Sequence, residues 1–419
     1  MTTLTTAPTR LPVAVPSGLR AGVARRILRA VAGRVPVDVR LPDGSLLAGG
    51  AGEPGRPVLE LVRPEAFFRR VSEHPKIGIG EGYMAGDWRP AAGTDLAEVL
   101  LPFAERMTTA VPPALARLRR VVDRPIPRAQ RNSLEGSRRN IEAHYDLSND
   151  LFAAFLDETM SYSSALFEES LPFHDQDLAL AQVRKVHAIL DLAHVGAGSR
   201  VLEIGTGWGT LAIEAARRGA EVTTVTLSRE QADLAQGRVE AAGLAHLVDI
   251  RLQDYREVSG TYDAVVSVEM IEAVGEEYWP TYFEAIDRLL APGGVAAVQA
   301  ILMAHDRYLA TRRSYGWIQK HIFPGGMIPS VQAITTTADK HTRLRVDRVH
   351  AFGPHYAETL RRWRYAFDAA WPEINRLGFD ETFRRKWEFY LAYCEAGFDS
   401  GYLDVAQVRL TRRGREGRA

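Results

Sequence analysis

Cysteine is almost absent from this chain of 419 residues: Cys394 stands alone, which excludes an internal disulfide. A reducing, cytoplasmic compartment is the simplest expectation. Net charge is also absent, with 52 basic and 52 acidic residues, so the overall charge does not indicate a nucleic-acid partner. No apolar run reaches the roughly 18 residues of a membrane-spanning helix, and no apolar signal core begins the sequence. A membrane substrate would have to be met at the bilayer surface.

Positive charge is nevertheless concentrated in two places. Residues 117–139 carry eight arginines against two acids, with Pro125 and Pro127 interrupting any long helix. A second basic group recurs at roughly helical spacing among Leu, Val and Ala; it consists of Arg20, Arg25, Arg26 and Arg29. Basic amphipathic segments can lie on anionic lipid. A solvated helix face and a basic linker explain the same residues equally well.

Composition divides the chain into three segments and a tail. Residues 1–115 mix short strand-like runs with helical ones and many Gly and Pro, which is typical of a small α+β domain. Residues 116–138 are predicted to be a basic linker, and 139–411 a larger domain. Residues 412–419 are predicted to be a basic tail.

The larger segment alternates between strand-like and helical patterns. The strands are predicted at 200–204, 221–226, 248–252, 264–268 and 294–300, and the clearest helices at 140–155, 177–193, 229–242 and 278–290. Pro292-Gly293-Gly294 is predicted to be a turn into the fifth strand. This alternation predicts an α/β fold with a mostly parallel, doubly wound sheet. Ligands of such sheets sit at the carboxyl ends of the strands, where Gly205, Thr226, Asp254 and Glu272 would converge.

The most informative run is 201–209, in which a strand-like segment leads into Gly205, Gly207 and Gly209 and then into an amphipathic segment. Glycine lets a ligand approach the backbone closely, and the following helix would present its positive end. The spacing differs from the dinucleotide-binding fingerprint. With Glu203 two residues before the first glycine, it resembles the first motif of methyltransferases that use S-adenosylmethionine (SAM). An ordinary glycine turn is the alternative.

The second predicted strand lacks the terminal acid with which generic SAM enzymes hold the ribose. Thr226 and Gln231, in V-T-L-S-x-x-Q, are the polar candidates there, and this run resembles the cyclopropane-fatty-acid synthase family, which includes the mycolic acid cyclopropane synthases. Further segments resemble the same family: they are 82–84, 87–88, 144–150, 160–165, 252–255, 267–272, 322–326 and Tyr356. By this resemblance, the cofactor residues also include Tyr162, Ser163, Gln253 and Asp254.

The resemblance implies a reaction in which an alkene of an acyl chain attacks the methyl group of SAM. A carbocation forms at the neighbouring carbon, and loss of a proton fixes the product. The protein has to position the reactants, exclude water and stabilise a cation. Aromatic faces and carboxylates suit this task, and the candidates are Tyr162, Tyr356, Phe323 and Glu272. Core packing is the alternative for the aromatic residues, and a surface acid at a helix start is the alternative for Glu272.

In the cyclopropane synthases a bound bicarbonate takes the proton, held by a Cys, a Glu, a His and a Tyr. The resemblance matches Glu272 and Tyr356 to the Glu and the Tyr, but Ser164 replaces the Cys and Gln299 replaces the His. Ser and Gln still donate hydrogen bonds. Glutamine cannot become cationic and supports an anion less well, which leaves bicarbonate as a second cofactor in doubt.

A displaced base would let the cation lose a different proton. Loss from the new methyl with ring closure gives a cyclopropane, whereas a hydride shift followed by loss from that methyl carbon gives an exocyclic methylene. Runs 269–275 and 299–301 resemble the actinobacterial branch of the family, which makes methylene-branched and, after reduction, methyl-branched fatty acids. We therefore expect methylation of an oleoyl-type phospholipid chain to a 10-methylene product. Gln299→His with Ser164→Cys should then shift the product towards cyclopropane.

Two alternatives remain: a true cyclopropane synthase and, more remotely, a non-catalytic SAM- or lipid-binding protein. His144, Tyr145, Phe323 and Ile301 are expected near the acyl chain. By analogy with the family, residues 1–115 are expected to help lipid docking or oligomerisation. The implied partners are an anionic phospholipid surface, a separate flavin- or NADPH-dependent reductase and a second copy of the chain in a dimer. The expected location is cytoplasmic, at the inner face of the membrane. No His, Cys or Asp spacing indicates a metal site.

Overall fold

The computed structural model describes residues 17–48, 55–106, 127 and 148–413. Several sequence predictions lie outside these residues. They are the linker 116–138 apart from residue 127, most of the helix predicted at 140–155, the acyl-chain residues His144 and Tyr145, and the tail from 414 onward.

The amino-terminal part forms a small four-stranded sheet with helices around it. Its elements are α1 (Ser17–Ala32), β1 (Asp38–Arg40), β2 (Leu46–Ala48), β3 (Val58–Leu61), α2 (Pro64–Glu73), α3 (Pro75–Met84), β4 (Trp88–Pro90) and α4 (Leu96–Glu105). The strand order is β2-β1-β3-β4, with β1 parallel to β3 and the outer pairs antiparallel. Pro64 and Pro75 each begin a helix, where the missing N–H costs nothing.

The carboxyl-terminal part contains the larger sheet. Its strands are β5 (Arg200–Ile204), β6 (Glu221–Thr226), β7 (Val248–Leu252), β8 (Tyr262–Val268), β9 (Leu290–Met303), β10 (Leu344–Ala351) and β11 (Leu403–Arg412). The order is β10-β11-β9-β8-β5-β6-β7. Strands β5 to β9 are parallel, whereas β11 is antiparallel to β9 and β10 is antiparallel to β11. The predicted α/β sheet is confirmed, and two unpredicted strands extend it.

Helices flank this sheet. They are α5 (Asn149–Ala153), α6 (Leu178–Leu192), α7 (Thr210–Arg217), α8 (Arg229–Ala241), α9 (Ile271–Val274), α10 (Trp279–Leu289), α11 (His305–Thr311), α12 (Trp317–His321), α13 (Val331–His341), α14 (Gly353–Ala369), α15 (Trp371–Arg376) and α16 (Glu381–Asp399). Val201 packs in one apolar cluster with residues of α6 and α7, and its neighbour Leu202 packs in another with residues of α10 and α13. Because successive strand residues point to opposite faces, both faces of the sheet are covered.

Side-chain caps explain where several helices begin. Asp177 was predicted to be the first residue of the helix 177–193. It instead accepts a hydrogen bond from the Leu180 N–H and precedes α6 as its cap. Ser228 caps α8 in the same way, through the Gln231 N–H.

The prediction that Pro292-Gly293-Gly294 forms a turn before the fifth strand was wrong. Strand β9 already begins at Leu290, which pairs with Tyr262, and pairing resumes where Val295 meets Ala264. The extra residues form an irregularity inside the strand, with Gly293 at φ 79°. Glycine there tolerates a left-handed conformation, so the turn sequence is absorbed without ending the strand.

The two parts of the chain share one core. The ring of Phe389 in α16 lies 5.6 Å from Tyr83 and 6.2 Å from Trp88, both of the amino-terminal part. A partly buried ion pair adds to this contact, because Arg364 binds Asp95 at 2.8 Å. The predicted boundaries near 115 and 138 lie outside the described residues and stay a prediction.

Candidate active site

A glycine turn follows β5 at its carboxyl end. Gly205, Gly207 and Gly209 have φ values of 98°, 51° and 89°, which L side chains rarely adopt. A Cβ on Gly205 would also lie 2.6 Å from Cγ of Met270, so this position admits only glycine without rearrangement. Gly209 precedes α7 directly. The turn therefore exposes backbone N–H groups at the positive end of a helix, as the sequence predicts.

Glu203 lies beneath this turn in a buried network. Its carboxyl accepts a hydrogen bond of 2.6 Å from the Thr224 hydroxyl, which lies 2.7 Å from the Thr206 hydroxyl. Burial raises the pKa of Glu203 to about 8. The residue lines the same cavity as Gly205 and Gly207.

Polar side chains at the ends of β6 and β7 line the next part of this cavity. The Thr226 hydroxyl donates to Oε1 of Gln231 at 3.0 Å, which fixes Gln231 at the start of α8. The side-chain amide of Gln253 donates to a backbone carbonyl, and Asp254 pairs with Arg256 at 2.6 Å. The structure thus brings all four predicted residues to one wall.

The cavity is large and mostly apolar. Its volume is about 1290 Å³, and it extends from the glycine turn to helices of the amino-terminal part. The lining includes Leu28, Phe67, Leu100 and Phe103 from that part, together with the predicted Ile301 and Phe323. The space is therefore suited to a long apolar ligand that reaches the glycine turn.

Aromatic side chains form one wall of the cavity. The Tyr162 hydroxyl donates to the Tyr390 hydroxyl at 2.9 Å, and the Tyr162 ring lies 5.3 Å from the ring of Trp363. Phe323 meets Tyr390 edge to face, with 5.9 Å between ring centroids. Burial raises the pKa of Tyr390 well above its ordinary value, so its phenol stays neutral. The same cause raises the pKa of Cys394 to about 12, which keeps that thiol neutral.

The acid at the centre of the site is Glu269. Its Oε1 accepts hydrogen bonds from the Ser164 N–H and from Nε2 of Gln299, both at 2.9 Å. Its Oε2 accepts one from the Tyr356 hydroxyl at 2.6 Å. The sequence predicts that Ser164, Gln299 and Tyr356 surround Glu272. The three predicted donors instead meet at Glu269, which the sequence showed only as part of a motif.

Two details of these donors differ from expectation. The Ser164 hydroxyl donates to the Ala165 carbonyl, so the contact with Glu269 comes from the backbone N–H and not from the side chain. Oε1 of Gln299 accepts from Nε2 of Gln407 at 3.2 Å, which turns the Gln299 amide group towards Glu269. Gln407 is not among the site residues predicted from the sequence. Its signal was a polar residue within the apolar run of β11.

Glu272 lies in a different environment. One carboxyl oxygen accepts from the Ile301 N–H, and the other is buried with no hydrogen-bond partner among the described residues. Burial, and then the negative charge of Glu269, raise the pKa of Glu272 to about 8. The carboxyl is therefore largely protonated at neutral pH, although it lines the same cavity.

Lys185 is a buried cation that the sequence analysis missed. Its Nζ donates to the hydroxyl of the predicted Ser163 at 2.5 Å. Burial lowers its pKa to about 8, against the opposing charges of Glu269 and Glu203. A signal was present, because Lys185 lies four residues from both Ala181 and Ile189 on the apolar face of α6.

Comparison with known proteins gives the same result along most of the chain. Residues 132–408 match the family described as mycolic acid cyclopropane synthetase. Tuberculostearic acid methyltransferase UfaA1 of Mycobacterium tuberculosis is 52% identical over 397 residues, covering 94% of this chain and 92% of that protein. Cyclopropane-fatty-acyl-phospholipid synthase of Escherichia coli is 33% identical over 365 residues, covering 84% and 87%.

Solved structures agree on the fold. Mycolic acid cyclopropane synthase CmaA1, complexed with SAH and CTAB, is 31% identical with a TM-score of 0.59, and the match covers 65% of this chain and 97% of that one. Cyclopropane synthase MmaA2 of M. tuberculosis is 29% identical with a TM-score of 0.60 and the same coverage. The predicted methyltransferase fold and SAM cofactor are confirmed. The chain belongs to the mycolic acid cyclopropane synthetase family.

Proposed function

We propose that this protein transfers the methyl group of SAM to a double bond of an oleoyl-type phospholipid chain and forms a methylene branch. A single cavity contains the glycine turn, the aromatic wall and an apolar lining that continues into the amino-terminal helices. This continuity supports the proposal, because it allows an acyl chain to bring its middle carbons to the cofactor.

The residues around the glycine turn fit SAM. No atom lies within 4 Å of where a Cβ of Gly207 would be, so a ligand can lie against the backbone there. Gly205, Gly207, Thr226, Gln231 and Asp254 would hold the cofactor. When bound, SAM supplies an electrophilic methyl group on a sulfonium centre.

The chemistry of the wall suits an alkene as the methyl acceptor. An alkene needs no deprotonation to act as a nucleophile, so the protein has to exclude water and stabilise a cation. The rings of Tyr162 and Phe323 line the cavity, and aromatic rings can stabilise positive charge.

The relatives favour a methylene over a cyclopropane product. The relative at 52% identity is named for tuberculostearic acid, whereas the E. coli cyclopropane synthase is 33% identical. The methyl-branch type of product implied by the sequence motifs agrees with the first name. Reduction of the methylene group would fall to a separate flavin- or NADPH-dependent reductase.

Helix α1 supports a membrane-surface substrate. Val23 and Ile27 are 49% and 38% exposed, and both line the cavity. Arg25, Arg26 and Arg29 are exposed on the same helix and match anionic head groups in charge. None of the helices within the described residues is long and apolar enough to cross a bilayer. We propose that α1 lies on anionic phospholipid at the inner face of the membrane; a dimer stays a prediction.

Proton NMR of the product lipid tests the proposed function. Purified protein is incubated with SAM and oleoyl-phosphatidylglycerol vesicles, and vinylidene protons are expected in the released fatty acids. Upfield cyclopropyl protons would instead establish a cyclopropane synthase. Gly205→Ala should abolish SAM binding and turnover, because its Cβ would strike Met270. Gly237→Ala is the matched control, since Gly237 is exposed in α8 with open space at its Cβ.

A further inference from the structure

Glu269 occupies a position that a bound anion would otherwise take. Among the described residues, its carboxyl accepts hydrogen bonds from Ser164, Gln299 and Tyr356. By the sequence resemblance, these same positions carry the Cys, His and Tyr that hold bicarbonate in cyclopropane synthases. In this chain the donors are already occupied by a carboxylate that belongs to the protein.

We propose that the Glu269 carboxylate is the catalytic base, built into the chain where cyclopropane synthases bind bicarbonate. This inference rests on the proposed function and names the residue that removes the proton in the last step of the reaction. The carboxylate replaces a diffusible anion with one fixed to the end of β8.

The backbone conformation of Glu269 supports a functional role for this residue. Its φ is 52°, a left-handed conformation that glycine adopts freely and that other residues adopt rarely. Such conformations persist where the surrounding structure enforces them, often at functional sites. Here the conformation accompanies a half-buried side chain whose carboxylate meets the three donors.

The hydrogen bonds leave the carboxylate one site for a proton. An ionised carboxylate offers about four lone-pair sites, and among the described residues Oε1 receives two hydrogen bonds and Oε2 receives one from Tyr356. Glu269 lines the cavity, whereas Ser164 and Gln299 are completely buried. The free site on Oε2 is therefore the one available to a substrate.

The proton transfer balances in atoms and charge. Once the methyl group is bonded to one alkene carbon, the neighbouring carbon is a cation and the cofactor is neutral. A 1,2-hydride shift moves the cation to the methyl-bearing carbon. Oε2 of Glu269 then takes a proton from the methyl group, and the C–H electron pair becomes the C=CH₂ bond. The site begins with one sulfonium and one carboxylate and ends with a neutral thioether and a neutral acid.

The surroundings favour this base over Glu272. Burial raises the pKa of Glu269, which strengthens it as a base, while its three donors and Lys185 support the charged form. The charged form of Glu272 is opposed by burial and by the negative charge of Glu269. The three hydrogen-bond donors around its carboxyl therefore single out Glu269 as the base of the pair.

Two variants of Glu269 test the proposal. Glu269→Gln keeps the size of the side chain, and we expect kcat to fall by about 10²–10⁴-fold, the usual contribution of a general base. Its dissociation constant for S-adenosylhomocysteine should stay within about twofold, because the base does not hold the cofactor in the ground state. Glu284→Gln, an exposed site on α10, is the matched control and should leave both quantities unchanged.

Glu269→Gly tests the anion position itself. Glycine suits φ 52° and empties the space between the donors, so this variant should fold. We expect it to bind ¹³C-bicarbonate, detected by line broadening in carbon NMR, and to regain turnover when bicarbonate or formate is added. The unmodified protein should bind no ¹³C-bicarbonate and should work equally well in CO₂-free buffer.

The outcomes separate this inference from the proposed function. Bicarbonate binding by the unmodified protein, or a Glu269→Gln variant with more than about a tenth of normal kcat, would overturn the role of Glu269. A cyclopropane product from the unmodified protein would overturn the proposed product alone, because both products lose a proton from the same methyl carbon. Bicarbonate binding confined to Glu269→Gly supports the anion position even if the lipid substrate proves wrong.

Discussion

At the scale of single residues, the site depends on the directions in which the side chains of two acids in one motif point. Glu269 and Glu272 stand three positions apart, and the sequence resemblance selected Glu272. The left-handed backbone at Glu269 brings its carboxylate to Ser164, Gln299 and Tyr356. Residue spacing does not reveal that φ value, so the sequence could not choose between the acids. Reversion of Gln299 and Ser164 alone would leave Glu269 in place, and Glu269→Gly is needed to make room for bicarbonate.

Glu272→Gln should flatten the pH dependence of stability. Burial raises the pKa of Glu272 from 4.5 to about 8, so the native state favours the protonated acid. Its contribution to the free energy of unfolding is fully present below pH 4.5 and is lost as the pH rises through 8. The unmodified protein should therefore lose stability relative to the variant between about pH 4.5 and pH 8.

Urea denaturation across this pH range measures the difference. Glu203 titrates in the same direction but is present in both proteins, so its effect cancels. Glu284→Gln, on the surface, should follow the unmodified protein at every pH. Parallel stability curves for the unmodified protein and Glu272→Gln would show that Glu272 does not titrate as inferred.

At the scale of elements, local patterns predicted most strands but not the antiparallel pair. Strands β5, β6 and β7 have their predicted bounds. Strand β11 carries a strand pattern at Ala406, Val408 and Leu410, all buried, but its partner β9 lies more than 100 positions earlier. Strand β10 is largely exposed, so its sequence shows little apolar alternation, and its place depends on pairing with β11.

The basic residues of helix α1 should contribute to binding of anionic membranes. Arg25→Glu with Arg26→Glu should weaken binding to phosphatidylglycerol vesicles at least about 30-fold, since each basic residue near an anionic surface contributes about 1 kcal/mol. Arg345→Glu with Arg348→Glu makes the same charge change on exposed residues of β10 and should bind normally. Sedimentation with vesicles at low and high salt measures both. Equal loss in the two variants would attribute the effect to net charge and not to α1.

At the scale of the whole molecule, the amino-terminal part belongs to the site. Its helices pack on α16, and its residues line the cavity that contains the glycine turn. By analogy with the family, this part is expected to help lipid docking or oligomerisation. The cavity gives it a further role, because the far wall of the apolar space comes from this part of the chain.

Leu100→Trp should change the preferred acyl chain. Leu100 lines the cavity in α4, and an indole there would occupy space needed by the end of the chain. We expect a preference for palmitoleoyl over oleoyl substrate to increase at least about 10-fold, since one methylene in an apolar pocket changes selectivity by roughly 10–200-fold. Competition between the two lipids, read by mass spectrometry, measures it. Leu180→Trp, 65% exposed on α6, is the control, and an equal shift there would contradict the assignment of the wall.

The sequence by itself determined the fold class, the family and the cofactor turn. These depend on local information: the alternation of strands and helices, and glycines at φ values that other residues avoid. The tertiary structure decided which acid is the centre of the site. The three donors of Glu269 lie 105, 30 and 87 positions away in the chain, and only packing of the sheet brings them together. The joining of the amino-terminal helices to the cavity is likewise a result of long-range packing.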